Sequence, residues 1–308
     1  MENFRLKVFR TVAAGLSFRR AAELLRISQP AVTQQVKALE KELGVPLFDR
    51  LGGKVTLTPS GVVLLEYAER LKALSDDAAQ AIAEVSGHHN NQLRLGASQT
   101  IGQYLLPTLL AAFLRRQPQV AYSGVSGNTE AMLEQLVDHR VDLALIEGPE
   151  MRVDVKSVPF MEDRMVLIVP AKHPWAGTIV EIDALRRTPL VLREPGSGSR
   201  RVVVDALESA GLSPAHLNVA LTLDSTEGIV SAVQAGLGVA FVSAWAVRNQ
   251  LAMGTLAEAK LRRLPLRRVF SVAYRQGPPP IGSAGAFYRF LLDHGARVAQ
   301  RRSHARNR

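Results

Sequence analysis

The 308-residue chain contains no cysteine. That excludes thiol catalysis, disulfides and thiolate metal sites, and it fits an intracellular protein. No apolar run approaches the roughly 20 residues needed to span a bilayer. The first residues, Met1-Glu2-Asn3-Phe4-Arg5, lack a secretory pattern. The expectation is a soluble, cytoplasmic chain with no membrane partner. The seven histidines, among them His139, His173 and His216, show no metal-ligand spacing. The adjacent pair His88-His89 has no further spaced ligands, so neither a metal nor a cofactor is expected. The glycine-rich stretch Glu194 to Arg200 lacks the Gly-Lys-Ser/Thr ending of a phosphate-binding loop and the spaced glycines of a dinucleotide fingerprint. Gly196-Ser197-Gly198 is too short for a nucleophile elbow. No catalytic set emerges, and an enzyme is not expected. The formal net charge of +10 favours polyanionic partners without selecting DNA.

What is present begins with Ser17 to Glu40. Ser17 can cap a helix with Ala21, Ala22 and Leu25 on its inner face, and Ser28 can cap a second with Pro30 in its first turn. In that second helix Val32, Val36, Leu39 and Leu43 form one apolar stripe. Pro30, Thr33, Gln34, Lys37 and Lys41 fall opposite. Glutamine can pair twice with adenine, threonine meets base edges or thymine methyls, and lysine reaches guanine or phosphate. The alternative is the solvated face of an ordinary helical hairpin.

The residues that follow favour DNA. Leu43-Gly44 suits a helix end. Leu47 to Arg50 and Lys54 to Thr58 flank Leu51-Gly52-Gly53 as a β-hairpin, with Arg50 and Lys54 near its tip. Those two side chains face phosphates or a minor groove, or are simply solvated. The module is a winged helix-turn-helix, with Ser17, Arg19, Ser28, Gln29, Pro30, Thr33, Gln34, Lys37, Arg50 and Lys54 as candidate DNA contacts to double-stranded promoter DNA.

The run Phe9-Arg10-Thr11-Val12-Ala13, Ser17-Phe18, Ala21-Ala22, Leu25, Ser28-Gln29-Pro30-Ala31-Val32, Leu39-Glu40, Leu43-Gly44, Leu47-Phe48-Asp49-Arg50 and Leu57-Thr58-Pro59-Ser60-Gly61 resembles the DNA-binding domain of LysR-type transcriptional regulators. Thr33 departs from the serine common there but keeps the hydroxyl. The resemblance extends to length and organisation. It implies a regulator whose promoter binding or activation is controlled by a small effector.

From Pro59 to Gly87 the residues Leu64, Ala68, Leu71, Ser75, Ala78, Ile82 and Val85 step alternately by four and three. That 3.5-residue period predicts a coiled-coil partner, hence a homodimer, over packing on its own domain. The resemblance implies a tetramer of two dimers and contact with RNA polymerase.

The expected boundaries are 1–59 for the winged domain, 60–88 for the linker helix, 89–92 for a polar hinge, 93–296 for an effector domain and 297–308 for a basic tail. The tail is read as frayed and solvated, with an added nucleic-acid contact as the alternative. Strand and helix patterns alternate beyond the hinge, which predicts α/β architecture with largely parallel sheets. The effector domain is expected to comprise subdomain I (93–163 and 267–296) and subdomain II (164–266).

Strand ends followed by Ser, Thr, Asn or Gly recur at helix starts, where α/β proteins bind ligands and free amides favour anions. The candidates are Ser98, Gln99, Thr100 and Ile101, then Gly127, Asn128 and Thr129, then Gly196, Ser197, Gly198, Ser199 and Arg200 opposite. Glu147 closes another strand, and Asp224, Ser225 and Thr226 a further one. Each is also readable as a helix cap, and Arg200 as a solvated charge. Two subdomains around one cleft resemble the periplasmic-binding-protein-like (type 2) effector domain of LysR-type regulators.

Leu95 to Pro107, Gly127 to Glu130, Glu147-Gly148 and Arg193 to Arg200 are similar to the CysL-like branch, which implies a sulfur oxyanion such as sulfite. Gln99 departs from the Thr or Ser usual there and leaves an organic acid open as effector. The rival classes are a periplasmic-binding-protein-like enzyme fused to a DNA-binding domain, and a purely architectural DNA protein.

Overall fold

The computed structural model describes residues 3–51, 54–85, 91–148, 152–264 and 266–306. The chain divides into an N-terminal and a C-terminal compact unit at His88 and His89.

In the N-terminal unit α1 (Phe4–Gly15), α2 (Phe18–Leu25) and α3 (Gln29–Leu43) precede the hairpin β1 (Phe48–Leu51) and β2 (Lys54–Leu57), then α4 (Pro59–Val85). Ser17 Oγ accepts from the Arg20 amide at 3.2 Å and Ser28 Oγ from the Ala31 amide at 3.3 Å, as the sequence predicts. Val8, Phe9, Val12, Ala21, Val32, Val36 and Leu39 meet in one core. Phe48 joins it with its ring 5.4 Å from Phe9 and 5.5 Å from Phe18. Glu40 Oε1 accepts from the Leu47 amide at 2.8 Å, which anchors the chain as it enters the wing. β1 and β2 pair antiparallel from Phe48↔Leu57 to Leu51↔Lys54, while Gly52-Gly53 lies outside the described residues.

One expectation for α4 shifts. Leu64 and Ala68 pack against the winged-domain core and do not continue a free stripe. The exposed apolar residues are Val62, Val63, Tyr67, Leu71, Leu74 and Ile82. The first turns bury one face locally, so the open face starts one residue earlier. Ser75 and Ala78 are half-buried, and the side chain of Val85 lies outside the described residues, as do His89 and Asn90 of the predicted hinge.

The C-terminal unit contains β3 (Gln92–Ser98), α5 (Gln99–Tyr104), α6 (Leu106–Leu114), β4 (Ala121–Gly127), α7 (Thr129–Val137), β5 (Leu143–Glu147) and β6 (Val155–Pro170). There follow β7 (Ile179–Val180), β8 (Leu190–Arg193), α8 (Gly198–Ser209), β9 (Val219–Leu223), α9 (Thr226–Gln234), β10 (Val239–Ser243), α10 (Arg248–Ala252), β11 (Leu256–Leu261), β12 (Arg267–Arg275) and α11 (Gly282–Arg306). The strands form one sheet in the order β4-β3-β5-β12-β6-β10-β8-β9, with β11 and β7 branching from β6.

Pairing is parallel in each outer half and antiparallel where β12 meets β5 and β6, and where β6 meets β10 and β11. The expected parallel sheets are thus two parallel halves joined by antiparallel strands. β6 does not break at the predicted 163/164 border. Its first part pairs with β12 up to Arg164↔Arg267, and its second part pairs with β10 from Met165↔Ser243 onward. Separate apolar cores lie to either side, one with Leu95, Phe113, Phe270 and Phe287, another with Leu167, Leu190, Leu207 and Phe241. The predicted tail is corrected as well: backbone 297–306 continues α11, while 307–308 lie outside the described residues.

Candidate DNA surface and effector cleft

On α3 the stripe Val32, Val36 and Leu39 is buried, which turns Gln29, Pro30, Thr33, Gln34 and Lys37 outward around one shallow open depression. Gln29, Gln34 and Lys37 are exposed and Thr33 is half-buried. Ser17 and Ser28 each accept one amide as caps, which leaves their hydroxyl hydrogens to donate to phosphate. Arg19 meets Glu23 one turn along at 3.3 Å, a solvated pair that an incoming phosphate can outcompete. Lys54 is exposed at the start of β2; the side chain of Arg50 lies outside the described residues.

In the C-terminal unit the predicted cleft residues converge, but on one another. Ser98 Oγ donates to Glu147 Oε1 at 2.7 Å, and Ser199 Oγ donates to Glu147 Oε2 at 2.5 Å. Arg268, which the sequence did not single out, donates from Nη1 to Glu147 Oε2 at 2.5 Å and to Ser199 Oγ at 2.7 Å. Its Nε donates to Asp163 Oδ2 at 2.7 Å, and Asp163 Oδ1 accepts from Ser243 Oγ at 2.9 Å. β3 and β5 of subdomain I, β6 and β12, and α8 and β10 of subdomain II each contribute one member. The place anticipated for an external anion thus holds an internal carboxylate.

Burial pushes the Glu147 carboxyl up, but Arg268, Ser199, Ser98 and Thr100 together hold it below its ordinary value. Asp163 goes the other way. Burial raises it and outweighs Arg268 and Ser243, with the Glu147 charge adding to the rise.

The opposing walls touch at the adjacent corner. The Glu130 amide donates to the Gly196 carbonyl at 3.3 Å. A Cβ on Gly198 would lie 2.1 Å from the Glu147 carbonyl oxygen and 2.7 Å from Thr129 Oγ1, so only glycine lets α8 start there. Thr129 is buried and its hydroxyl has no hydrogen-bond partner. Asn128 caps α7 through the Ala131 amide at 2.9 Å, and a Cβ on Gly127 would lie 3.0 Å from Met132 Cε.

The rest of the predicted set lies along a second wall. Ser197 and Ser225 cap α8 and α9. Thr226 Oγ1 accepts from Arg193 Nη1 at 3.2 Å, and Arg193 also grips Glu194 through two nitrogens. Arg200 Nη1 donates to the Arg193 carbonyl at 2.8 Å, so it is committed within subdomain II. Gln99 is half-buried, Asp224 is exposed, Thr100 is buried and Ile101 belongs to the core. Tyr104 at the end of α5 packs on the core of subdomain II. Burial and the neighbouring Glu227 carboxylate push its phenol up to about 12. Arg193 and Tyr104 lie inside stretches that resemble the CysL-like branch but, like Glu227, are not among the candidate site residues, because nothing local marks them as such. Among the described residues no group of His, Cys, Asp or Glu could hold a metal ion, and no helix is long and apolar enough to cross a membrane.

Known proteins agree with this architecture. Residues 4–62 match the family described as "Bacterial regulatory helix-turn-helix protein, lysR family" and residues 86–296 that described as "LysR substrate binding domain". A "Probable RuBisCO transcriptional regulator" from Synechocystis sp. (strain ATCC 27184 / PCC 6803 / Kazusa) is 35% identical over 292 residues, 94% of this chain and 85% of that one. The regulatory domain of Synechocystis PCC6803 CcmR, solved in complex with 2-PG, is 26% identical with a TM-score of 0.61, covering 66% of this chain and 97% of its own. Full-length CbnR, solved with its target DNA, shares the fold at 22% identity and a TM-score of 0.71 over 96% of this chain and 99% of its own. None of these descriptions supports the CysL-like branch. The chain belongs to the LysR family of transcriptional regulators.

Proposed function

We propose that this regulator reads promoter DNA with the Gln29–Lys37 face of α3 and presses its wing on the backbone. It acts as a homodimer joined through α4, with two dimers forming a tetramer, in the cytoplasm and in contact with RNA polymerase. The observation that carries the DNA reading is the division of α3: Val32, Val36 and Leu39 of its apolar stripe are core, with Leu43 at the helix end exposed, and the amide, hydroxyl and ammonium groups line one open depression.

The effector is a small anion, and the cleft between the two subdomains is its site. The 2-PG bound to the related CcmR domain supports an organic acid or phosphate over sulfite. With Ser98, Thr100 and Ser199 committed to Glu147, the donors left for it are Gln99, Ser197, Ser225 and Thr226. Effector in the cleft alters the angle between subdomains and thereby the spacing of the paired winged domains on DNA.

The DNA arm is tested by Gln29→Ala with Gln34→Ala. Fluorescence anisotropy on operator and random duplexes should show specific binding weakened by about 1–3 kcal/mol per lost bidentate base contact, with nonspecific affinity spared. Lys37→Ala should lower the slope of log affinity against log salt by about one. Unchanged discrimination in the double variant would remove α3 from the reading role.

A further inference from the structure

Glu40 is an acid inside a module suited to a polyanion. Glu23 pairs with Arg19 and Glu42 with Arg5, whereas Glu40 forms no ion pair among the described residues. It is half-buried in the last turn of α3. At about 100° per residue it stands between the core residue Val36 and the outward Thr33 and Lys37, on the border of the reading face. There one carboxylate oxygen takes two successive main-chain amides at the entry to β1, Leu47 at 2.8 Å and Phe48 at 3.4 Å. Hydrogen bonds to an ionised acceptor are the strong ones, and their directionality fixes the chain that donates them.

The same few residues also meet α4. The Leu47 carbonyl accepts from the Thr58 amide at 3.0 Å. Thr58 Oγ1 donates to the Pro46 carbonyl at 2.8 Å and accepts from the Gly61 amide at 3.0 Å. A Cβ on Gly61 would lie 2.1 Å from the Leu47 carbonyl oxygen, so α4 starts directly against the root of the wing. Pro46 to Phe48 are thereby tied from two sides, to α4 through Thr58 and to α3 through Glu40. The first tie keeps the wing in its domain; the second sets it against the reading helix.

We propose that Glu40 is a positioning residue for DNA recognition: it fixes the wing relative to α3, so that base contacts from α3 and a phosphate contact from Lys54 form in one docking event. The inference rests on the wing contact proposed above. It gives a reason for a carboxylate beside the DNA face, where its charge opposes binding.

A double-mutant cycle in the full-length protein tests this, read by fluorescence anisotropy over a salt series on a duplex enriched by the parent protein from a random pool. Lys54→Ala should weaken the parent several-fold and lower the slope of log affinity against log salt by about 0.9, the value of one phosphate contact. Glu40→Ala should lower that slope at least as much, and adding Lys54→Ala should then cost under about twofold. Glu40→Gln, whose side-chain oxygen can accept the same two amides, should keep the parent slope and the full Lys54→Ala effect. Should Glu40→Ala melt early, Glu40→Asp, with its carboxylate one methylene short of the amides, takes its place. A loss of folding alone lowers the active fraction and leaves the slope and the Lys54→Ala effect unchanged. An equal Lys54→Ala effect in both backgrounds therefore overturns the role of Glu40 while the wing contact stands. If Lys54→Ala leaves the parent slope unchanged, the wing contact itself fails, and the role of Glu40 with it.

Discussion

Arg268 is one cation between two buried carboxylates, and their shifts in opposite directions divide the charge unequally. Glu147, held below its ordinary value, adds stability above the unfolded glutamate range and loses it as pH falls through its folded value. Asp163, raised, contributes fully only below the unfolded aspartate value, and that contribution is lost as pH rises through its folded value. Glu147→Gln removes the stronger partner of a fully buried guanidinium and should cost about 3 kcal/mol at pH 7. Asp163→Asn keeps the Glu147 pair and should change stability by about 1 kcal/mol or less, while raising pH 7 stability relative to pH 5. Urea titrations at both pH values check the pair, and equal losses would refute the division. The sequence marked Ser98, Glu147 and Ser199 because strand ends and helix starts are local signals. It could not mark Arg268, whose partners Glu147 and Asp163 lie 121 and 105 positions away.

Elements were legible where their period is local. The caps at Ser17 and Ser28, the α3 stripe and the glycine turn after Leu43 follow from spacing, and all lie within one helical hairpin and its exit. The register of α4 was half legible. Its repeat was visible, but only the fold shows that Leu64 and Ala68 are consumed at home. The exposed Tyr67 and Leu71 form the centre of the face left for a partner helix. Tyr67→Asp with Leu71→Asp should convert a dimer to monomer in sedimentation velocity at micromolar concentration, with the helical circular dichroism of the winged domain retained. A variant that still sediments as a dimer would move the interface elsewhere. The 163/164 border falls inside β6 because the run Arg164 to Val169 reads as the opening strand of a second subdomain. Burial of Asp163 against Arg268 lets the charged stretch Glu162-Asp163-Arg164 remain paired strand.

At the scale of the molecule, two compact units imply two cooperative transitions in calorimetry. Operator DNA should raise one, and an anionic effector the other. At about 100 times its dissociation constant a ligand adds roughly 2.7 kcal/mol to the unit it binds. A single probe that moved both transitions equally would show the units melting as one. The C-terminal unit allows no such division within itself, since β6 runs unbroken from its pairing with β12 in one subdomain into its pairing with β10 in the other. Its two lobes are joined as the ends of a torsion bar are joined, by paired backbone and not by a flexible tether. A change of angle between them would twist hydrogen-bonded strand, so the proposed effector would work against an elastic restoring force that brings the lobes back when it leaves.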